Sequence, residues 1–181
     1  SVIPRLQREG IFPEVDWYLQ IRTAGIGESA LAEKVGHLFE GKKGLVVGYC
    51  AHAGLVDLRL SSLDGEILSE KELQIIADDC RNLLDEDFVC FGDRTLAEVI
   101  FRELRPLEKT LAVAESCTGG LLSSHFTEIE GISKVFHGGA VCYHNDAKVQ
   151  LVDVPESMLE QHGAVSEEVA IAMATLSLIH I

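Results

Sequence analysis

No Cys-x-x-Cys pair occurs in the 181 residues, and the five cysteines (50, 80, 90, 117 and 142) are odd in number and scattered. That spacing argues against a disulfide framework and against a zinc ribbon. The seven histidines are scattered too, with no His-Glu-x-x-His or comparable cluster, so neither a metal nor another cofactor is expected. No apolar run approaches the roughly 18 residues that span a bilayer, and no charged-then-apolar leader opens the chain. The expectation is a soluble, cytoplasmic protein without a membrane partner. Positive charge is scarce: the formal net charge is −14. A nucleic-acid partner is therefore not expected, because displacing counterions from a polyanion takes a basic patch.

What the chain does have is the composition of a folding protein, 47% hydrophobic and 24% charged, with room for one ordinary domain or two small ones. Residues 1–20, with Pro4, Gly10 and Pro13, read as an irregular lead-in, although the pattern is already strand-like from Tyr18 to Arg22. A helix follows, with Leu31, Val35, Leu38 and Phe39 at helical spacing and Gly41 as its stop. Leu45–Cys50 and Leu55–Leu60 read as strands joined around Ala53-Gly54. In the second, Val56, Leu58 and Leu60 alternate with Asp57, Arg59 and Ser61, which predicts one buried and one wet face. Ser69 and Glu72 form a capping box before a helix lined by Leu73, Ile76, Ala77, Cys80, Leu83 and Leu84. A short strand over 87–92 completes an α/β unit of about 75 residues, within the usual domain range.

A second capping box, Thr95 with Glu98, starts a helix through Leu96, Ile100 and Leu104, and the pattern then changes. Thr110–Ala114 is a continuous apolar strand of the kind buried in a parallel sheet. A helix from Thr118, a strand over Gly139–Tyr143, short helices near 146–152 and 155–161, and a last helix from Ser166 follow. The expected boundary between the units lies near Gly92 to Thr95.

The residues with chemical potential cluster after the apolar strand. In Ser116-Cys117-Thr118-Gly119-Gly120 a strand delivers a serine to the carboxyl edge of a sheet, where α/β sites form. The glycines let backbone approach a ligand, and free N–H groups of the following helix can hold a phosphate or an oxyanion. The same residues also suit a small-residue turn that packs a helix tightly on a strand. A serine needs a base, and Tyr143-His144-Asn145-Asp146-Ala147-Lys148 offers one, since lysine serves serine when its environment favours the amine. Tyr143 could relay a proton or orient the lysine. The alternative is a solvated helix start capped by Asn145 or Asp146. Cys117 is a competing nucleophile, ranked below Ser116 because no histidine lies near it in sequence. His144 and His162 are lone residues near turns. Gly41-Lys42-Lys43-Gly44 has the form of a KH-domain loop, but it lies between a helix and a strand of an acidic chain and reads as a lysine-rich turn.

Three blocks closely resemble the C-terminal domain of the CinA family in order and spacing: Ala114 to Gly120, Gly139 to Lys148, and His162-Gly163-Ala164-Val165-Ser166. Upstream, Arg22 to Ser29 resembles the start of that family's KH-like middle domain, so the resemblance runs from about residue 17 to residue 174. It implies a KH-like α/β domain over 17–92 and an α/β amidohydrolase domain with a parallel-type sheet over 93–181, with 1–16 the exit of a molybdopterin-binding-like domain. It further implies nicotinamide mononucleotide amidohydrolase activity in pyridine nucleotide salvage, yielding nicotinic acid mononucleotide and ammonia. In that mechanism Ser116 is the nucleophile, Lys148 the base and Tyr143 its assistant. Thr118, Gly119, Gly120 and Gly163 contact the substrate, a small-molecule nucleotide. Residues 175–181 do not resemble the family, so a C-terminal domain cut short is expected. An incomplete sheet of this kind exposes an edge and an apolar face, which favours a homo-oligomer. A catalytically incomplete module acting only through structure or interaction is the alternative reading.

Overall fold

The computed structural model describes residues 18–62 and 68–180, with side chains up to residue 175. Most of the expected lead-in, the expected 1–16 exit segment and Ile181 lie outside the described residues, whereas residues 18–20 belong to the first strand. The chain divides into two compact units between Arg94 and Thr95.

The first unit runs β1 (Tyr18–Ala24), α1 (Glu28–Val35), β2 (Leu45–His52), β3 (Leu55–Ser62), α2 (Glu70–Leu84) and β4 (Phe88–Phe91). Its antiparallel sheet has the order β2-β3-β1-β4. The β2–β3 hairpin turns on Ala53-Gly54, with His52 opposite Leu55. One sheet face, carrying Leu19, Ile21, Val56, Leu58 and Leu60, is covered by Leu31 and Val35 of α1 and by Leu73, Ile76, Ala77, Cys80 and Leu84 of α2. The Ser69–Glu72 capping box forms as expected, satisfying donors that the first turn of α2 leaves open.

Three expectations for this unit need correction. Leu83 points outward at 39% exposure, because the stripe that meets the sheet runs 73-76-77-80-84. Helix α1 ends at Val35, and a 3-10 turn, Gly36–Phe39, carries the chain on toward Gly41. The expected wet face of β3 is not wet at Asp57, which is 1% exposed. Register places Arg22 opposite Asp57, and its guanidinium donates to both carboxylate oxygens at 2.8 Å. Arg22 also donates to the carbonyls of Asp93 and Arg94 at 2.7 Å, while His52 Nε2 stands 3.2 Å from Asp57. The hydrogen bond from Arg22, opposed by burial and helped by the Arg22 charge, holds the Asp57 carboxyl below its usual range.

The second unit runs α3 (Leu96–Leu104), β5 (Leu111–Glu115), α4 (Leu121–Thr127), β6 (Phe136–Val141), α5 (Asn145–Val152), α6 (Glu156–His162) and α7 (Glu167–His180). The expected parallel pairing is present: β5 and β6 align from Leu111↔Phe136 to Glu115↔Val141, with a register shift after Leu111. Among the described residues the unit buries two separate apolar clusters. Cys142, Val152, Val154, Val169 and Met173 form one, and Ala97, Val113, Phe126 and Ile132 the other. The Thr95–Glu98 capping box forms, but α3 buries Ala97 and packs Phe101 inward, leaving Leu96 and Ile100 exposed. Strand β6 starts three residues earlier than expected and ends at Val141, which leaves Cys142 and Tyr143 beyond its carboxyl end. Residues 175–180 continue α7.

Candidate active site

Parallel pairing brings the carboxyl ends of β5 and β6 side by side, with Glu115 level with Val141. Adjacent strands lie about 4.8 Å apart, so the residues that follow them share one edge of the sheet. Ser116 follows β5 directly, and Cys142 and Tyr143 follow β6. Helix α4 does not start at Thr118 as expected: a turn over 117–120 intervenes, and Gly120 at φ 104° precedes the first helical residue. That φ is readily adopted only by glycine.

Glu115, which sequence reasoning assigned no role, organises this turn. The residue is 3% exposed, yet its side chain accepts five hydrogen bonds. Oε1 accepts from Ser123 N–H at 2.8 Å and Ser123 Oγ at 2.6 Å. Oε2 accepts from Thr118 Oγ1 at 2.8 Å, Leu122 N–H at 2.9 Å and Gly120 N–H at 3.1 Å. Burial pushes the carboxyl up, but the bonds from Ser123, Thr118 and Leu122 together outweigh it and hold its pKa at about 2. The signal in the sequence was a lone acidic residue ending an otherwise apolar strand.

This carboxylate changes which donors are free. Gly120 N–H is taken by Glu115, and Gly119 N–H donates to the Ser116 carbonyl at 3.0 Å. The start of α4 is thus filled from within, and within Thr118-Gly119-Gly120 both glycine N–H groups are engaged. Among the described residues the N–H groups of Cys117 and Thr118 donate to nothing, and the half-buried Ser116 hydroxyl has no hydrogen-bond partner.

The second constellation is a helix start, though not capped as expected. His144, rather than Asn145 or Asp146, caps α5, its Nδ1 accepting from Asp146 N–H at 3.3 Å. Lys148, one turn on, is 1% exposed. Its Nζ donates to the Tyr143 carbonyl at 3.2 Å, and among the described residues no carboxylate lies within ion-pairing distance. Burial pushes the Cys142 thiol up, opposed by the Lys148 charge. The link between Tyr143 and Lys148 runs through the backbone, since the Tyr143 residue is 72% exposed. Cys117 is exposed.

Gly139 sets how closely α4 lies on this sheet. One side of it is open, but a Cβ on the other would strike Ser123 Oγ and come within 2.8 Å of a Val113 methyl. Gly163 terminates α6: its N–H donates to the Leu159 carbonyl, and its own carbonyl accepts from Ser166 Oγ at 3.2 Å. A cavity of about 620 Å³ lies between α3 and the end of α4 against Phe101, Arg102, Arg105 and His125, and none of the expected site residues lines it. Among the described residues no three metal-ligating side chains converge, and no helix is long and apolar enough to cross a membrane.

Residues 93–180 match the family model described as the CinA C-terminal domain, and residues 20–88 match the damage-inducible protein CinA KH domain. The first match includes residues 175–180, which the sequence reading had set apart from the family. A CinA-like protein of Crocosphaera subtropica is 39% identical over 178 residues, covering 96% of this chain and 42% of its own. One from Prochlorococcus marinus is 41% identical over 155 residues, covering 83% and 35%. The chain thus spans about two fifths of the length of the curated relatives it matches. A solved competence/damage inducible protein from Agrobacterium tumefaciens is 42% identical, covering 46% of this chain and 50% of that one, at a TM-score of 0.45. With a KH-like unit followed by a CinA-type α/β unit, the chain belongs to the CinA family.

Proposed function

We propose that the edge formed by Ser116, Tyr143 and Lys148 is the working end of a nicotinamide mononucleotide amidohydrolase. The observation that carries this reading is the pairing of an unengaged serine hydroxyl after β5 with a buried lysine, free of any carboxylate among the described residues, held after the neighbouring strand. Ser116 Oγ attacks the carboxamide carbon while its proton passes to the amine of Lys148. The carbonyl oxygen becomes an oxyanion, for which the unpaired N–H groups of Cys117 and Thr118 are donors beside the nucleophile. Collapse breaks the C–N bond, and Lys148 returns the proton as ammonia leaves. Water, its proton taken by the same lysine, then hydrolyses the ester to nicotinic acid mononucleotide and free Ser116. In this reading the exposed Tyr143 meets the substrate from solvent, with Thr118, Gly119, Gly120 and Gly163 as its further contacts. Pyridine nucleotide salvage in the cytoplasm is the setting, and a homo-oligomer the form.

The test is ammonia release from nicotinamide mononucleotide by the purified chain. Ser116→Ala and Lys148→Ala should each lower the rate by at least about 10³-fold, the scale on which removing one member disables a catalytic unit. Should this chain release no ammonia while a longer version carrying the same residues does, a non-catalytic interaction module is the better description of the 181 residues.

A further inference from the structure

We infer that Glu115 is a positioning residue for this chemistry, holding the Ser116 turn in register with the strand end that carries Tyr143 and Lys148; the inference rests on the catalytic reading above. Glu115 is tied on two sides. Its backbone carbonyl accepts from Cys142 N–H at 2.7 Å, and the carbonyl of the next residue, Tyr143, receives Lys148 Nζ. Its side chain reaches the other way and gathers Thr118, Gly120, Leu122 and Ser123. One residue therefore links the lysine side of the edge to the turn on the serine side.

The linkage also selects which amides remain for substrate. Ser116, Cys117 and Thr118 lie inside the loop that the carboxylate closes. Glu115 consumes Gly120, Leu122 and Ser123 N–H, and the turn's own bond consumes Gly119 N–H, so Cys117 and Thr118 N–H stay open. An anion next to a developing oxyanion would ordinarily oppose it. Here five donors, three of them from the first turn of α4, share the Glu115 charge. Gly139 completes the arrangement, because only a residue without Cβ lets Ser123 Oγ reach Oε1. An amide in place of the acid would turn an NH₂ toward at least two N–H or O–H donors and loosen the loop, with its shape little changed.

The experiment compares wild type with Glu115→Gln in two assays, each normalised to the folded fraction. One is ammonia release from nicotinamide mononucleotide. The other is labelling of Ser116 by a small sulfonyl fluoride, read by intact mass with Ser116→Ala as the blank. Positioning predicts a fall of about 10²-fold in kcat with KM within about threefold, and a similar fall in labelling rate, since a misplacement of about 1 Å costs that much. A purely structural role predicts fewer folded molecules, each fully active. Values of kcat and labelling within twofold of wild type would overturn the inference. If Glu115→Gln does not fold, Ser123→Ala removes one donor and should lower kcat several-fold at unchanged KM; an unaltered kcat again overturns it. A wild type that labels at Ser116 but releases no ammonia refutes the substrate reading alone, and positioning is then judged on labelling. A wild type that does neither overturns both.

Discussion

The two units bury charge in opposite ways. In the first, Asp57 is sealed beneath the sheet with the counter-charge of Arg22, both carboxylate oxygens held at 2.8 Å. In the second, Glu115 and Lys148 are equally buried, yet each is held by dipoles alone. Glu115 is held by backbone and hydroxyl donors, Lys148 by a carbonyl. A buried pair that neutralises itself is chemically finished and can serve as structure. A buried lysine held by one carbonyl has no such partner among the described residues, and it lies at the strand edge beside Ser116. The cores differ in the same sense: one cluster behind one sheet face in the first unit, two smaller ones in the second.

The strongest way to break this comparison is Asp57→Ala. It strands the Arg22 guanidinium, and loss of one partner of a buried pair costs about 3–5 kcal/mol. Amide exchange in β1 and β3 should register that loss, with little change in β5 and β6. A cost below about 1 kcal/mol would mean that the first unit does not depend on its pair. Gly139→Ala comes next in size. Its methyl collides with Ser123 and Val113, and overpacking of this kind costs about 1–3 kcal/mol. Ammonia release should fall further than stability does, because the Ser123–Glu115 bond breaks first.

The capping boxes sharpen the comparison from the other side, being a device that both units share. Ser69→Ala and Thr95→Ala should each cost about 1 kcal/mol in urea titration of the respective unit. Markedly unequal costs would show that the second unit is not independently braced. Acidification should have the smallest effect over the working range. Glu115 is depressed to about 2 from an ordinary 4.5, so its stabilisation is complete above pH 4.5 and drains away as pH falls toward 2. Protection of the Leu122 and Ser123 amides should stay flat at neutral pH and fail across that acid window. Loss already at pH 6 would assign the donors to some other acceptor.

How much of this could be read in the sequence follows from the range of the interactions involved. Ser69 and Glu72, Thr95 and Glu98, and the alternation in β3 are local signals, and they gave the right elements. Leu83 was misplaced because two adjacent leucines share a helical edge and only the sheet decides which turns inward. Asp57 was read as wet because its partner, Arg22, lies 35 residues away and only β1–β3 pairing brings it opposite. The site shows the same division. Ser116 and Lys148 are conspicuous as residue types, but the role of Glu115 depends on a turn that brings residues five to eight positions ahead back onto it. His144 as a cap was missed because imidazole is an uncommon one.

Gly139 has one more consequence, and it lies in the unfolded chain. A glycine within a strand has more conformations to give up on folding than alanine would, at a cost of about 0.5–1 kcal/mol. The chain carries that entropic loss at every folding event, and what it obtains is a helix seated one methyl closer to its sheet. That loss is then a geometric requirement: a side chain at 139 would relieve the entropy but displace Ser123.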